Sequence, residues 1–199
     1  MSGSAAAGEF TVEPIPDKLR EKMLGKSFRE NPNISLNDLV LVRAPYYGFD
    51  GTVHVGEMVI HHTLGEELLE IFKELCDKKF PIEKMKLIDE YDGDDDASMA
   101  DNNSSAFCYR ELTGGGELSS HAWGTAVDIN PLYNPYVRKW EDDSALVLPP
   151  AGAQYLDRTQ EQKGMILVGD DCYQAFIKRG WEWGGDWEEF SDYHHFQKI

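Results

Sequence analysis

What this 199-residue chain lacks narrows its function before any motif does. Bases are scarce: 19 Lys and Arg stand against 36 Asp and Glu, a formal net charge of −17. A nucleic-acid module needs Lys and Arg to replace phosphate counterions, so no nucleic-acid partner is expected. Electrostatic attachment to anionic lipid is disfavoured for the same reason. The deficit is not a detachable tail, since residues 1–100 carry 11 bases and 20 acids, and residues 101–199 carry 8 and 16. No run approaches the ~20 apolar residues of a membrane span, so no transmembrane segment is expected. Cys76, Cys108 and Cys172 are odd in number, widely spaced and without a C-x-x-C pair. That excludes a disulfide framework or a thiolate zinc site, and three buried thiols are expected. Internal repeats are absent, as are low-complexity linkers beyond the first dozen residues.

What is present fits one globular domain: 41% of residues are hydrophobic and 12% aromatic, ample for a core. The first ten residues lack the basic and apolar regions of a signal peptide. Gly3-Ser4 and Glu9-Phe10 are dipeptides that cloning sites commonly encode. Residues 1–10 are therefore read as a vector-derived or disordered tail, 11–37 as an extension packing on the domain, and 38–199 as the domain. A short helix is expected after Pro14, and strands at Leu39–Val42 and Val53–Ile60. Thr63 and Glu66 fit a capping box, followed by a helical stripe of Leu64, Leu68, Ile71, Phe72, Leu75 and Cys76. Residues 92–105 read as loop, and Gly114-Gly115-Gly116 as a turn. Along 126–130, Ala126, Asp128 and Asn130 share one strand face. Asp171–Arg179 reads as a helix that Gly180 ends. Short helices mixed with short strands, without βαβ regularity, give an α+β domain.

The chemistry-bearing residues lie in two segments. The first, Ser119-Ser120-His121-Ala122-Trp123-Gly124-Thr125-Ala126-Val127-Asp128, sets a His seven residues before an Asp. Along a straight strand they would stand about 23 Å apart, and along a helix about 10 Å. Neither lets both reach one ion at ~2 Å. A shared metal requires the chain to fold back, and Gly124 is placed to permit it. The alternative is an exposed His and an Asp on the wet face of a half-buried strand. The second segment runs Trp181-Glu182-Trp183-Gly184-Gly185-Asp186-Trp187, then Asp192-Tyr193-His194-His195-Phe196. Asp192 and His195, three apart, point the same way in a turn or helix, so one can ligate while the other serves as base. The alternative is core packing for the tryptophans, with one buried and one exposed imidazole.

Together, Ser-x-His-x-x-Gly-x-Ala-x-Asp-Ile-Asn and Trp-Gly-Gly-Asp-Trp with Asp-x-x-His-Phe resemble the zinc D-alanyl-D-alanine carboxypeptidases, the VanY- and VanX-type peptidoglycan peptidases. Tyr47-Gly48-Phe49-Asp50-Gly51, Asn102–Phe107 and Asp128–Pro135 are similar to one bacterial branch, and the resemblance covers about residues 38–197. It implies a single domain with a small, mostly antiparallel sheet and flanking helices, like the Hedgehog/DD-peptidase fold. It implies Zn²⁺ held by His121, Asp128 and His195, with Asp192 as the base that activates water. Many members use Glu as base, and Asp192 looks more like the endopeptidase branches. The family commonly has an Arg as oxyanion or carboxylate partner, often in a Tyr-Arg pair well upstream of the zinc His. The matching stretch, Leu87 to Asp92, has none, so Arg110 is the candidate, with an ordinary ion pair as its alternative. Ser119 binds substrate or caps the turn, and Trp187 and Tyr193 either wall the cleft or pack.

The implied activity is a zinc peptidase on peptidoglycan stem peptides, foremost D-Ala-D-Ala carboxypeptidase. Its partner is a stem peptide or other D-Ala-terminated peptide, and it works as a monomer in the periplasm or outside the cell, with a cytoplasmic setting still open. An L-alanyl-D-glutamate endopeptidase and a non-catalytic zinc-bearing wall-binding module are the other readings. Asp92-Gly93-Asp94-Asp95-Asp96 invites a calcium reading, but Ala97 and Asn103 stand where an EF-hand needs Gly and Glu, leaving a solvated acidic loop. His54, His61 and His62 are assigned ordinary surface roles.

Overall fold

A computed structural model describes residues 10–112 and 114–199, so positions 1–9 of the expected tail lie outside the described residues. In chain order the elements are β1 (Thr11–Pro14), α1 (Asp17–Met23), β2 (Leu39–Gly48), β3 (Val53–His61), α2 (Gly65–Asp77), β4 (Pro81–Ile82) and β5 (Lys84–Met85). Then follow α3 (Asp95–Ala100), β6 (Asn103–Ser104), β7 (Ala126–Asp128), β8 (Tyr136–Lys139) and β9 (Ala145–Leu148). The chain ends with α4 (Asp171–Ile177), β10 (Glu182–Trp183), β11 (Ser191–Asp192) and β12 (His195–Gln197). The architecture is α+β and mostly antiparallel. Among the described residues there are four sheets instead of one: β1-β2-β3 with β4 beside β2, β10-β12-β7, β11-β8-β9, and the parallel pair β5-β6.

The main sheet is covered on both faces because β2 alternates. Val42 and Ala44 belong to the larger core, while Leu39 and Leu41 belong to a second cluster with Ile15, Met23, Phe28 and Phe107. The larger core takes the stripe of α2, namely Leu68, Ile71, Phe72 and Leu75. It also takes Val127 of β7, Phe176 of α4 and Phe196 of β12, with the Phe176 and Phe196 rings stacked 4.0 Å apart. Residues 11–14 add an edge strand to the main sheet, and residues 15–34 carry much of the second cluster.

Three local expectations need correction. The capping box at Thr63 is not made: α2 opens through a 3-10 turn in which His61, not Thr63, accepts a backbone N–H, that of Thr63 at 3.4 Å. Residues 92–105 are not all loop, because Asp94 accepts from the Ala97 N–H and caps α3, and β6 follows. Four Asp in five residues mask a cap and a first helical turn, where acids are favourable. The cysteines are free, but Cys76 is only half-buried, at the edge of the α2 stripe.

Candidate metal centre

The site is built by one turn and one strand pair. Ser119 Oγ accepts the His121 N–H at 3.3 Å, starting a 3-10 turn over Ser120–Trp123. Gly124 ends that turn at φ +66°, and β7 then runs back to Asp128. The reversal demanded by the His-Asp spacing is made at Gly124, where a Cβ would meet the His61 nitrogen at 2.7 Å. Antiparallel pairing of β12 with β7 sets His195 directly opposite Asp128 and Phe196 opposite Val127. The strand period therefore turns Asp128 and His195 to the site while Val127 and Phe196 enter the core.

His121, Asp128 and His195 each offer a ligand atom, and these lie within 4.8 Å of one another, all buried. His121 Nε2 is 3.1 Å from Asp128 Oδ2 and 3.2 Å from His195 Nδ1, and His195 Nδ1 is 3.1 Å from Asp128 Oδ1. A tetrahedron with ~2.0–2.1 Å arms has edges of about 3.3 Å, so the spacing suits zinc. The protons support the same conclusion. His121 Nδ1–H donates to the Ala106 carbonyl, which leaves Nε2 as the lone-pair nitrogen. The Gln197 amide nitrogen donates to Glu182, so its Oε1 faces His195 Nε2 at 3.2 Å and fixes the ring hydrogen there. Nδ1 is then the bare nitrogen. Two lone pairs and a carboxylate thus converge, and only a cation or extra protons make that arrangement attractive. Burial pushes Asp128 up, but the imidazoles of His121, His194 and His195 around it hold it well below the usual carboxylate range. Burial depresses His195, but Asp128, Asp192 and Gln197 together raise it on balance.

Asp192 ends β11 beside this cluster, and its Oδ1 is buried without a well-aligned hydrogen-bond donor. His194 Nε2 stands 2.9 Å from that oxygen, and His194 Nδ1–H donates to the Asn134 carbonyl at 2.7 Å. Both histidines of the pair are buried, against the alternative of one exposed ring. Burial alone would lower His194, yet the Asp192 and Asp128 carboxylates raise it to about 9. Gly184 admits the Asp192 strand, since a Cβ there would meet Asp192 O at 2.6 Å. The glycine of the Trp-Gly-Gly-Asp-Trp motif is thus a packing requirement of the site.

A cleft of about 530 Å³ lies over these groups. Its polar side includes Arg110, Ser119, Ser120, Asp192 and Gln197, and its apolar side includes Leu112, Leu118, Trp123 and Trp187. Arg110 is the one Lys or Arg among the described lining residues. It also makes the ion pair foreseen as its alternative, with Asp95 Oδ2 2.9 Å from Nη2, while its Nε is buried without a partner. Asp95 is therefore part of an ion pair and not of a solvated loop. Arg110 follows Tyr109, so a Tyr-Arg pair does precede the metal His, nearer to it than the expected stretch at 87–92. Trp187 stands 5.4 Å from the His195 ring. Tyr193 packs instead on Trp183 and under Arg158. Ser119 caps the turn and also lines the cleft. His54, His61 and His62 take no part, with His54 paired to Asp50 and His61 to the Thr63 hydroxyl.

Sequence reading missed Ser120, whose Oγ is 3.2 Å from His195 Nε2, and Gln197, although both flank ligands in the sequence. It also missed Asp95, whose role no spacing rule could reveal. The segment from Ser105 to Arg110 ties the site together through its backbone. Ser105 exchanges two hydrogen bonds with Asp128, the Cys108 N–H donates to His121 O, and Arg110 O accepts from the Ser119 N–H.

This donor set, with a second carboxylate at its edge and a cleft above, defines a metallopeptidase class of site. Residues 113–198 match the family model described as D-alanyl-D-alanine carboxypeptidase. No curated protein and no solved structure gives a significant match.

Proposed function

We propose that this protein is a zinc-dependent peptidase of peptidoglycan stem peptides, most specifically a D-alanyl-D-alanine carboxypeptidase of Hedgehog/DD-peptidase-like fold acting in the cell envelope. The observation that carries this reading is the convergence of the His121, Asp128 and His195 lone pairs below the cleft, with the Asp192 carboxylate, held by His194 at 2.9 Å, beside them. Those three residues would hold the zinc. Bound there, it would supply Lewis acidity to polarise a peptide carbonyl and acidify water. Asp192 accepts the proton of the attacking water and returns it to the leaving amine. His194 stands behind Asp192 and limits its movement. Arg110 offers a planar cation to the substrate's terminal carboxylate, which favours a carboxypeptidase over an endopeptidase. Ser119 holds the turn that presents His121, and its hydroxyl borders the bound peptide.

The test is mass spectrometry of defined muropeptides digested with and without chelator. Release of one D-Ala, abolished by chelator and restored by zinc, is expected. Release of dipeptide or cleavage after L-Ala would assign the endopeptidase instead, a reading favoured by the aspartate at position 192. Stoichiometric zinc with no hydrolysis of any stem peptide would leave the wall-binding module.

A further inference from the structure

Asp95 has no place in the chemistry above, yet it is paired with Arg110 of the cleft. Asp95 opens α3, whose frame is firmly held. Asp94 caps its first turn, Ser98 and Met99 are buried, and Ser98 Oγ accepts from Asn103 Nδ2 at 3.0 Å. Asn103 is in turn bound to both backbone groups of Lys86. From this fixed turn Asp95 Oδ2 reaches Arg110 Nη2 at 2.9 Å, with the two side chains 19% and 25% exposed. The contact engages one nitrogen. Nε has no partner, and Nη1 has only the neighbouring Glu111 carbonyl at 3.4 Å. A guanidinium has five donors, and a carboxylate binds two of them side by side. Two other carboxylates, Asp128 and Asp192, also attract this cation. Without a competing anchor, Arg110 would be drawn towards them and would occupy the base.

We infer that Asp95 is a positioning residue for substrate recognition: it anchors Arg110 by Nη2, keeping the rest of the guanidinium away from Asp192 and open to a terminal carboxylate in the cleft. This rests on the reading of Arg110 as the carboxylate partner. The consequence is selectivity. Asp95 controls how strongly the site prefers a peptide acid over the same peptide as an amide, because only the acid uses the fork.

The experiment is calorimetric binding of a non-hydrolysable phosphinate analogue of an N-acetylated peptide ending in D-Ala-D-Ala, and of its C-terminal amide, to the wild type as parent and to Asp95→Asn. The phosphinate blocks turnover while Asp192 stays in place in both. Wild type and Asp95→Asn are assayed for hydrolysis in parallel. The acid is expected to lose about tenfold in affinity with Asp95→Asn and the amide to be unchanged, the scale of one charge-assisted contact. In the hydrolysis assay KM for the acid rises, and kcat falls as the released guanidinium engages Asp192. Equal loss for acid and amide, or no loss for either, overturns the proposal, as does an absence of acid preference in the parent. Should Asp95→Asn not fold, Asp95→Glu keeps the charge but shifts it by one methylene, and an unchanged acid-to-amide ratio there overturns it equally. A wild type that hydrolyses nothing removes the peptidase reading alone, since the binding ratio is measured without turnover.

Discussion

Asp128 and His195 are cross-strand partners in β7 and β12, with His195 Nδ1 3.1 Å from Asp128 Oδ1. Sixty-seven residues separate them in sequence, so tertiary pairing alone brings them together. The same register puts Val127 opposite Phe196 in the core, and a one-residue slip would exchange ligands for core residues. The spacing of the candidate ligands and the packing of the core are thereby set by one register.

Replacing a ligand should therefore remove the metal. In His121→Ala or Asp128→Asn, zinc measured by emission spectroscopy is expected to fall from about one per chain to below about a tenth. Chelator should lower the wild-type melting temperature, because a ligand that binds only the folded state stabilises it. The variants should show no such zinc-dependent shift. Full zinc content in both variants would refute the ligand assignment.

Asp192 separates binding from turnover. Asp192→Asn retains zinc and fold, while kcat on a stem peptide drops by about 10²- to 10⁴-fold, the range of a lost general base. Loss of metal together with activity would make Asp192 a ligand instead.

Gly124 is the backbone condition for the site. Its φ is +66°, and a Cβ at this position would lie 2.7 Å from His61 N, which leaves no room for a side chain. Gly124→Ala should cost about 1–3 kcal/mol in denaturant unfolding and weaken zinc affinity, as the His121 turn shifts against β7. A variant that melts like wild type and binds zinc equally would contradict this.

Glu74 links α2 to the end of α4, contacting Lys178 at 2.6 Å and Arg179 at 2.9 Å. Lys178 leads the partners that lower its pKa to about 2, against an ordinary 4.5. A depressed carboxylate adds stability above its unfolded pKa and loses it as pH falls through the folded value. Glu74→Gln should thus be less stable than wild type at neutral pH by about 1 kcal/mol, the pair being near the surface. The gap should close between pH 4.5 and about 2. A gap that stays constant over that interval would exclude the linkage.

The main elements were legible because they follow local rules, whereas the candidate ligands were singled out by resemblance. The α2 stripe repeats every three to four residues, the His-Asp spacing forces a reversal, and Gly124 supplies it. Asp170 accepts the Tyr173 N–H to start α4, as expected from an acid at a helix start. The rest depended on distant partners. Four short Asp-rich positions conceal α3, because Asp94 as a cap and Asp95 as an ion-pair partner look alike in sequence. The division into four sheets follows from pairings such as Ser191 with Val137, which strands of two to four residues do not announce. His194 reads as a duplicate of His195 until Asn134 and Asp192 are seen around it. The buried asparagines of the Asn102–Phe107 and Asp128–Pro135 stretches likewise become intelligible only in space, where Asn130 and Asn134 both donate to Gly164 O.

The backbone spine from Ser105 to Arg110 stops just before the turn that runs from Glu111 to Leu118, whose ends form a single bridge. Leu112 and Leu118 reach the cleft from that turn, and no metal-ligand candidate lies on it among the described residues. The apolar cleft contacts of Leu112 and Leu118 and the candidate metal ligands consequently occupy different pieces of chain, so those contacts can change without altering the spacing of His121, Asp128 and His195.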